Sequence, residues 1–327
     1  MNFAKKIPKP VYIGSAICGI YGVSILIKDL GGGQLYRNPI KADDKIIIVT
    51  GANTGIGKET AWEFARRGAK VYMACKDMKR CEAARKDIVL DTKNKYIYCR
   101  PCDLASLESI RHFVKLFKSE ENGLDVLINN AGVMRTPQGS KTKEGFEMQL
   151  GVNHLGHFLL TNLLLDHLKK SAPSRIINIS SVAHKRGTIN KDDLNSELKY
   201  DPAKAYEQSK LANVLFTNEL AHVLKGTGVT VNSVHPGIAD TEIVRYMGFS
   251  NSNLAYVIFK PLTWPFIKTA KQACQTVIYL ALDPDVTNVT GKYFCNYKEE
   301  ELSGDAVDAK LSKWLWRVSE KWTKLNS

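Results

Sequence analysis

Apolar residues recur along the chain in short unbroken runs: KIIIVT at 45–50, KVYMAC at 70–75, YIYC at 96–99, LDVLIN at 124–129, RIINIS at 175–180 and VTVNSV at 229–234. Runs this short and this continuous mark parallel strands buried on both faces, since a strand with one wet face would alternate. Between them the spacing of apolar positions turns helical and predicts helices over 57–67, 78–90, 107–118, 146–170 and 203–225. Strands alternating with helices predict an α/β fold, a doubly wound Rossmann-type parallel sheet in a single domain. A ligand is then expected outside the carboxyl ends of the strands. The folded unit is expected over 45–298, after a linker at 28–44.

The two ends depart from this pattern. Residues 1–10 are basic, and 11–27 read VYIGSAICGIYGVSILI without a charge, which makes an N-terminal membrane-anchor candidate at the short end of spanning length. A cleaved signal peptide and a buried core helix are the rival readings. Lysine and arginine flank both sides, so the charge bias leaves orientation open. The tail at 299–327 carries Leu311, Trp314, Leu315, Val318, Trp322 and Leu325 at helical intervals among Lys313, Arg317, Lys321 and Lys324. Such a basic amphipathic helix suits a bilayer interface or the side of its own domain, and the pattern does not choose.

A net charge of +13 makes anions attractive partners: nucleic acid, anionic lipid or a phosphorylated cofactor. The basic residues are scattered and no nucleic-acid-binding motif appears, so no nucleic acid is expected. Seven cysteines, an odd number at irregular spacing, argue for reduced thiols. Cys99-Arg-Pro-Cys102 ends a predicted strand rather than opening a helix, which disfavours a redox pair. No second pair lies at zinc-ligand spacing, so no metal is expected.

Chemistry concentrates after the first strand. Thr50-Gly51-Ala-Asn53-Thr54-Gly55-Ile56-Gly57 leads straight into a helix, the order in which a glycine turn and a helix N-terminus cradle a pyrophosphate. An NAD-selective site would place a carboxylate at the end of the second strand. Cys75-Lys76 stands there instead, followed by Asp77, so NADP(H) is preferred over NAD(H). Tyr206-Glu-Gln-Ser-Lys210 puts a phenol and an ammonium on one face of a helix, where the cation can stabilise a phenolate. Upstream, Ser181 at a strand end offers a hydroxyl to hold a substrate oxygen.

Together these residues resemble the short-chain dehydrogenase/reductase family. The matching pieces are Thr50-Gly-x-x-x-Gly55-x-Gly57, Asp103, Asn129-Asn130-Ala131-Gly132, Asn153, Ser180-Ser181, Tyr206-x-x-x-Lys210 and Pro236-Gly237, in family order. The resemblance implies that Asp103 contacts the adenine and that Leu104 belongs to the cofactor site. It implies that Asn130, Ala131, Gly132, Pro236 and Gly237 support the cofactor. Asn153, Ser181, Tyr206 and Lys210 would form the catalytic tetrad, Asn153 holding a water that links Lys210 to solvent; Ser180 would be a framework residue. Longer stretches, such as Val152-Asn-His-Leu-Gly-His-Phe-Leu-Leu160, are similar to the retinol dehydrogenases of the 11-to-14 group, nearest its type 13 branch. Two departures stand out: Lys76 and Asp240 occupy positions where arginine is usual in that group.

The stretch LAYVIFKPLTWPFI at 254–267 falls where the family covers its substrate. An apolar small-molecule substrate follows: a retinoid, a long-chain aldehyde or a sterol, exchanging hydride with the cofactor. A non-catalytic NADP(H)-binding membrane scaffold is the competing reading. Membrane association is expected, at mitochondria or at the endoplasmic reticulum and lipid droplets, and a homo-oligomer is left open.

Overall fold

A computed structural model of the chain describes residues 35–237 and 268–325, with single positions inside 15–25. Its eight-stranded sheet is built from β1 (Ile46–Thr50), β2 (Lys70–Cys75), β3 (Ile97–Pro101), β4 (Val126–Asn129), β5 (Ser174–Ile179), β6 (Val229–His235), β7 (Tyr293–Cys295) and β8 (Lys298–Glu299). The order is β3-β2-β1-β4-β5-β6-β7-β8, and every pair is parallel except β7 with β8. The first three strands step one way and the chain then returns to lay β4 on the free side of β1. At that reversal the connections leave β1 and β4 in opposite directions, and a crevice opens above their carboxyl ends.

Helices cover both faces. On one lie α1 (Gly55–Arg66), α2 (Met78–Thr92) and α6 (Gln275–Leu282), closing over Ile47, Val49, Val71 and Met73; on the other lie α3 (Leu107–Glu120), α4 (Gly156–Lys170) and α5 (Pro202–Val223), closing over Ile48, Leu127 and Ile176. Adjacent residues Ile47, Ile48 and Val49 thus enter different cores, which is why the strand sequence is continuously apolar. Each such side chain contributes about 1.5–3 kcal/mol by leaving water. Side-chain caps mark helix starts: Asp77 accepts from Arg80 N, Ser106 from Ser109 N, and Asp201 from Ala203 N and Lys204 N, with Pro202 at the first helical position.

Two expectations change. The predicted helix over 146–170 is interrupted: a short turn at Met148–Leu150 and a π-helical turn at Gly151–Leu155 precede α4. Asn153 lies in the π-helical turn, and its amide bonds the backbone of Val133. Cys81 and Cys99 form a disulfide, against the expectation of reduced thiols. The crossover that carries α2 from β2 to β3 lays Cys81 over Cys99 with their Cα atoms 6.1 Å apart, a juxtaposition that residue counting does not reveal. Cys102 is free, buried and pushed up to about 12 by burial, so Cys99 and Cys102 are not a redox pair.

The tail helix forms as α7 (Ala309–Thr323), and its apolar side faces its own domain. Leu311 and Leu315 enter the core with α5, Trp316 packs edge-on against Phe158 at 4.9 Å, and Trp322 stacks on Phe146 at 5.5 Å. Residues before β1 are also tied down. Buried Arg67 donates to the carbonyls of Asn38 and Ile40, and Tyr36 OH bonds Asp283 at 2.8 Å. The anchor candidate at 11–27 lies largely, and the apolar stretch at 254–267 entirely, outside the described residues. Among the described residues no helix is long and apolar enough to cross a membrane.

Candidate active site

A cleft of about 490 Å³ occupies the crevice at the switch point. Its floor is the turn after β1. Gly51 has φ +64°, and a side chain there would press on Ala131. A Cβ at Gly57 would collide with the Gly51 carbonyl and the Asn130 amide, so only glycine permits the backbone to fold this tightly. Asn53, Thr54, Gly55 and Ile56 line the same wall. Thr54 precedes α1 in extended backbone without capping it through its side chain, and the first turn of α1 holds no acidic residue. Among the described residues, the first N–H groups and the positive end of the helix dipole therefore have no capping side chain and no first-turn carboxylate to satisfy them.

Lys76 and Asp103 mark one end of the cleft. Lys76 Nζ lies 3.1 Å from Asp103 Oδ2, while Asp103 Oδ1 accepts from Ala105 N at 2.9 Å. The carboxylate of Asp77 is committed to capping α2 at Arg80 N. Arg80, in the first turn of α2, lines this end as well, a cation the motif reading did not name. Leu104, beside Asp103, completes the pocket wall.

Asn130, Ala131 and Gly132 form the opposite wall, held by Thr50. The Thr50 hydroxyl accepts the N–H groups of Asn130 and Ala131, both at 2.9 Å, and Asn130 Nδ2 donates to Thr50 O at 2.8 Å. Pro236 and Gly237 border the cleft beyond β6.

At the far end stand Ser181, Tyr206 and Lys210, all lining the cleft. Ser181 follows β5, and its hydroxyl accepts from Ala183 N at 3.2 Å. Ser180, one residue earlier, is buried and donates to Lys210 O at 2.9 Å. Lys210 is buried, 2% exposed; its Nζ donates to Ile179 O at 3.2 Å and sits 5.6 Å from the centroid of the Tyr206 ring. Burial pushes the Tyr206 phenol up to about 12, against the pull of the Ser181 hydrogen bond. Burial likewise draws Lys210 down to about 8. The expected lowering of the phenol by Lys210 is not found in this cleft, where burial sets the direction and Ser181 is the group that opposes it.

Asn153 is the predicted site residue that does not line the cleft. Its amide clamps Val133, accepting from N at 2.8 Å and donating to O at 3.0 Å, and donates to Ser209 Oγ at 2.9 Å. Its carbonyl accepts from the His157 ring at 3.0 Å. Val133, Met148 and Val152 give the cleft apolar walls that no motif pointed to. A larger hollow, about 930 Å³, lies by the amino end of β6 and the last turn of α5, away from Tyr206 and Lys210.

The cleft fits a dinucleotide: a backbone cradle only glycine allows, an uncapped helix start, and cations at one end. Residues 45–249 match the family model described as short chain dehydrogenase. The chain is 49% identical to human retinol dehydrogenase 13 over 96% of this chain and 95% of that protein. To human retinol dehydrogenase 12 it is 49% identical, covering 92% of this chain and 93% of the other. Among solved structures it is similar to the Pseudomonas aeruginosa RhlG/NADP active-site complex, at 25% identity and a TM-score of 0.63, covering 78% of this chain and 95% of that one. The chain is therefore a member of the short-chain dehydrogenase/reductase family and an oxidoreductase of that kind.

Proposed function

We propose that this protein interconverts an apolar alcohol and its aldehyde with NADP(H), and that all-trans-retinal and retinol are its substrate pair. The carrying observation is the meeting of Ser181, Tyr206 and Lys210 at one end of a cleft whose other end holds Lys76. The retinoid part rests on the names of the similar proteins and on the apolar side chains of Val133, Met148 and Val152.

Gly51 to Gly57 and the start of α1 would hold the pyrophosphate, and Lys76 would neutralise the adenosine 2′-phosphate. Asp77 caps α2 through Oδ1, and the strand end before it carries the cation Lys76 rather than the carboxylate that an NAD-selective site requires. When bound, the cofactor supplies or accepts the hydride. Ser181 and Tyr206 hold the carbonyl oxygen, and the protonated phenol of Tyr206 gives its proton to the oxygen as negative charge develops. Lys210 keeps a positive field over the Tyr206 ring, which eases loss of that proton. In the oxidative direction the phenolate accepts the alcohol proton.

Membrane association belongs to this reading through the uncharged stretch at 11–27; α7 does not support it, since its apolar side is already covered. Following loss of the near-ultraviolet absorbance of NADPH with all-trans-retinal, then with long-chain and sterol carbonyls, tests the substrate class. Turnover with NADPH but not NADH, highest for retinal, is expected. No turnover on any of them would leave the non-catalytic scaffold as the better reading.

A further inference from the structure

His157 sits on the first turn of α4, 2% exposed, and both ring nitrogens are engaged. Nδ1 lies 3.0 Å from Asn153 O and Nε2 lies 2.9 Å from Thr50 Oγ1. Counting hydrogens fixes which nitrogen carries the proton. The Thr50 hydroxyl accepts two backbone N–H groups, from Asn130 and Ala131, so both lone pairs are in use. Its own hydrogen must therefore supply the contact with His157, because the alternative acceptor, Ile128 O, is farther away at 3.3 Å. Nε2 is then an acceptor, Nδ1 bears the proton, and that proton is donated to the Asn153 carbonyl. The imidazole is neutral and held in one tautomer. Burial, together with the nearby Lys210 ammonium, pushes in the same direction, drawing the ring down to about 4.

The three groups joined here belong to different parts of the site. Thr50 ends β1 just before the glycine turn. Asn130 and Ala131 form the wall beyond β4. Asn153 belongs to the π-helical turn, and its amide holds Ser209, the residue next to Lys210. From these contacts we infer that His157 is a positioning residue, a neutral bridge that locks the cofactor-side turns at Thr50 and Ala131 to the turn supporting the Tyr206 and Lys210 helix. It does not line the cleft and acts only through Thr50 and Asn153. Its kinetic consequence rests on the oxidoreductase reading, whereas the tautomer does not.

Two measurements test it independently. Long-range proton–nitrogen NMR of the ¹⁵N-histidine-labelled protein without cofactor reads the tautomer directly. The His157 ring should be neutral and protonated at Nδ1 at neutral pH, and Thr50→Val should shift its Nε2 resonance. An Nε2-protonated ring, or an imidazolium, would overturn the inference whether or not any variant folds and whether or not retinal is reduced. In turnover, His157→Leu should lower kcat by roughly 10- to 100-fold, the scale of a small misplacement of reacting groups, with the carbonyl KM unchanged. His157→Gln, which keeps one donor and one acceptor on a planar group, should recover most of the loss. Thr50→Val should reproduce it, and the double variant His157→Leu/Thr50→Val should be no worse than either alone. Additive losses, or a leucine variant with unchanged kcat, would contradict the bridge. NADPH fluorescence and circular dichroism on each variant report cofactor binding and folding. Should the wild type reduce no carbonyl, that result counts against the proposed function, and the NMR tautomer still decides the bridge.

Discussion

The ammonium of Lys210 stands over the ring of Tyr206, 5.6 Å from its centroid, and hydrogen-bonds Ile179 O rather than the phenol oxygen. It can act on the phenol only through space, as a buried charge. Such a charge counts only while it stays protonated, and burial has brought Lys210 down to about 8.

A pH dependence of opposite sense in the two directions follows. Tyr206, pushed up to about 12, carries its proton at neutral pH and is ready to act as an acid. Carbonyl reduction should be flat near neutrality and fall as pH rises past about 8, where Lys210 loses its charge. Alcohol oxidation needs the phenolate, so its kcat/KM should climb from neutral pH, by up to about tenfold per unit. Profiles of kcat/KM in both directions check this, and a flat oxidation profile would contradict it.

Cofactor choice should turn on Lys76. Replacing it with aspartate removes the cation, brings like charge against Asp103 and restores the carboxylate that favours a free ribose. Lys76→Asp should raise KM for NADPH by at least about tenfold, equivalent to roughly 1.4 kcal/mol, and improve NADH. KM values for both cofactors read the outcome. The loss should shrink at high salt, since Lys76 is largely exposed and screened.

Acid should destabilise the fold before it unfolds everything else. His154 and His157 are buried neutral, drawn down by burial to about 3 and about 4 from 6.5. Their folded pKa values lie below the unfolded one, so as pH falls below 6.5 the unfolded chain takes up protons that the fold refuses. Stability is unaffected above that pH and is lost progressively down to about 4, by on the order of 3 kcal/mol for His157 alone. Denaturant unfolding at a series of pH values should show this slope, and His157→Gln should reduce it by the His157 share while His154 keeps the remainder.

The disulfide predicts a thiol count. Of seven cysteines, Cys81 and Cys99 are joined and five are free, so titration of the denatured, unreduced protein should find five thiols. Seven would show the pair reduced. Cys81→Ser should cost about 3 kcal/mol, the scale for closing a loop of this length.

Much of this was legible in the sequence because it depends on local pattern. Five of the six longer strands are buried on both faces, β3 at the sheet edge alternating instead, and the apolar runs announced all six within one or two residues, as with β2 at Lys70–Cys75. The glycine turn was legible because backbone that tight excludes every other residue. What escaped depends on contacts across the fold. β7 and β8 are too short to leave a pattern, and the turn at Gly151–Leu155 holds Asn153 against Val133, a contact twenty residues away in the chain that apolar spacing does not record. The role of α7 was left open because an amphipathic face looks the same whether it meets lipid or Phe158.

Proton transfer by Tyr206 is the claim on which the rest stands, and Tyr206→Phe tests it with one atom removed. The variant should bind NADPH with unchanged fluorescence titration and keep its fold, while retinal reduction falls by about 10²- to 10⁴-fold, the usual worth of a positioned acid. A phenylalanine variant that binds the cofactor and reduces retinal at the wild-type rate would contradict the account.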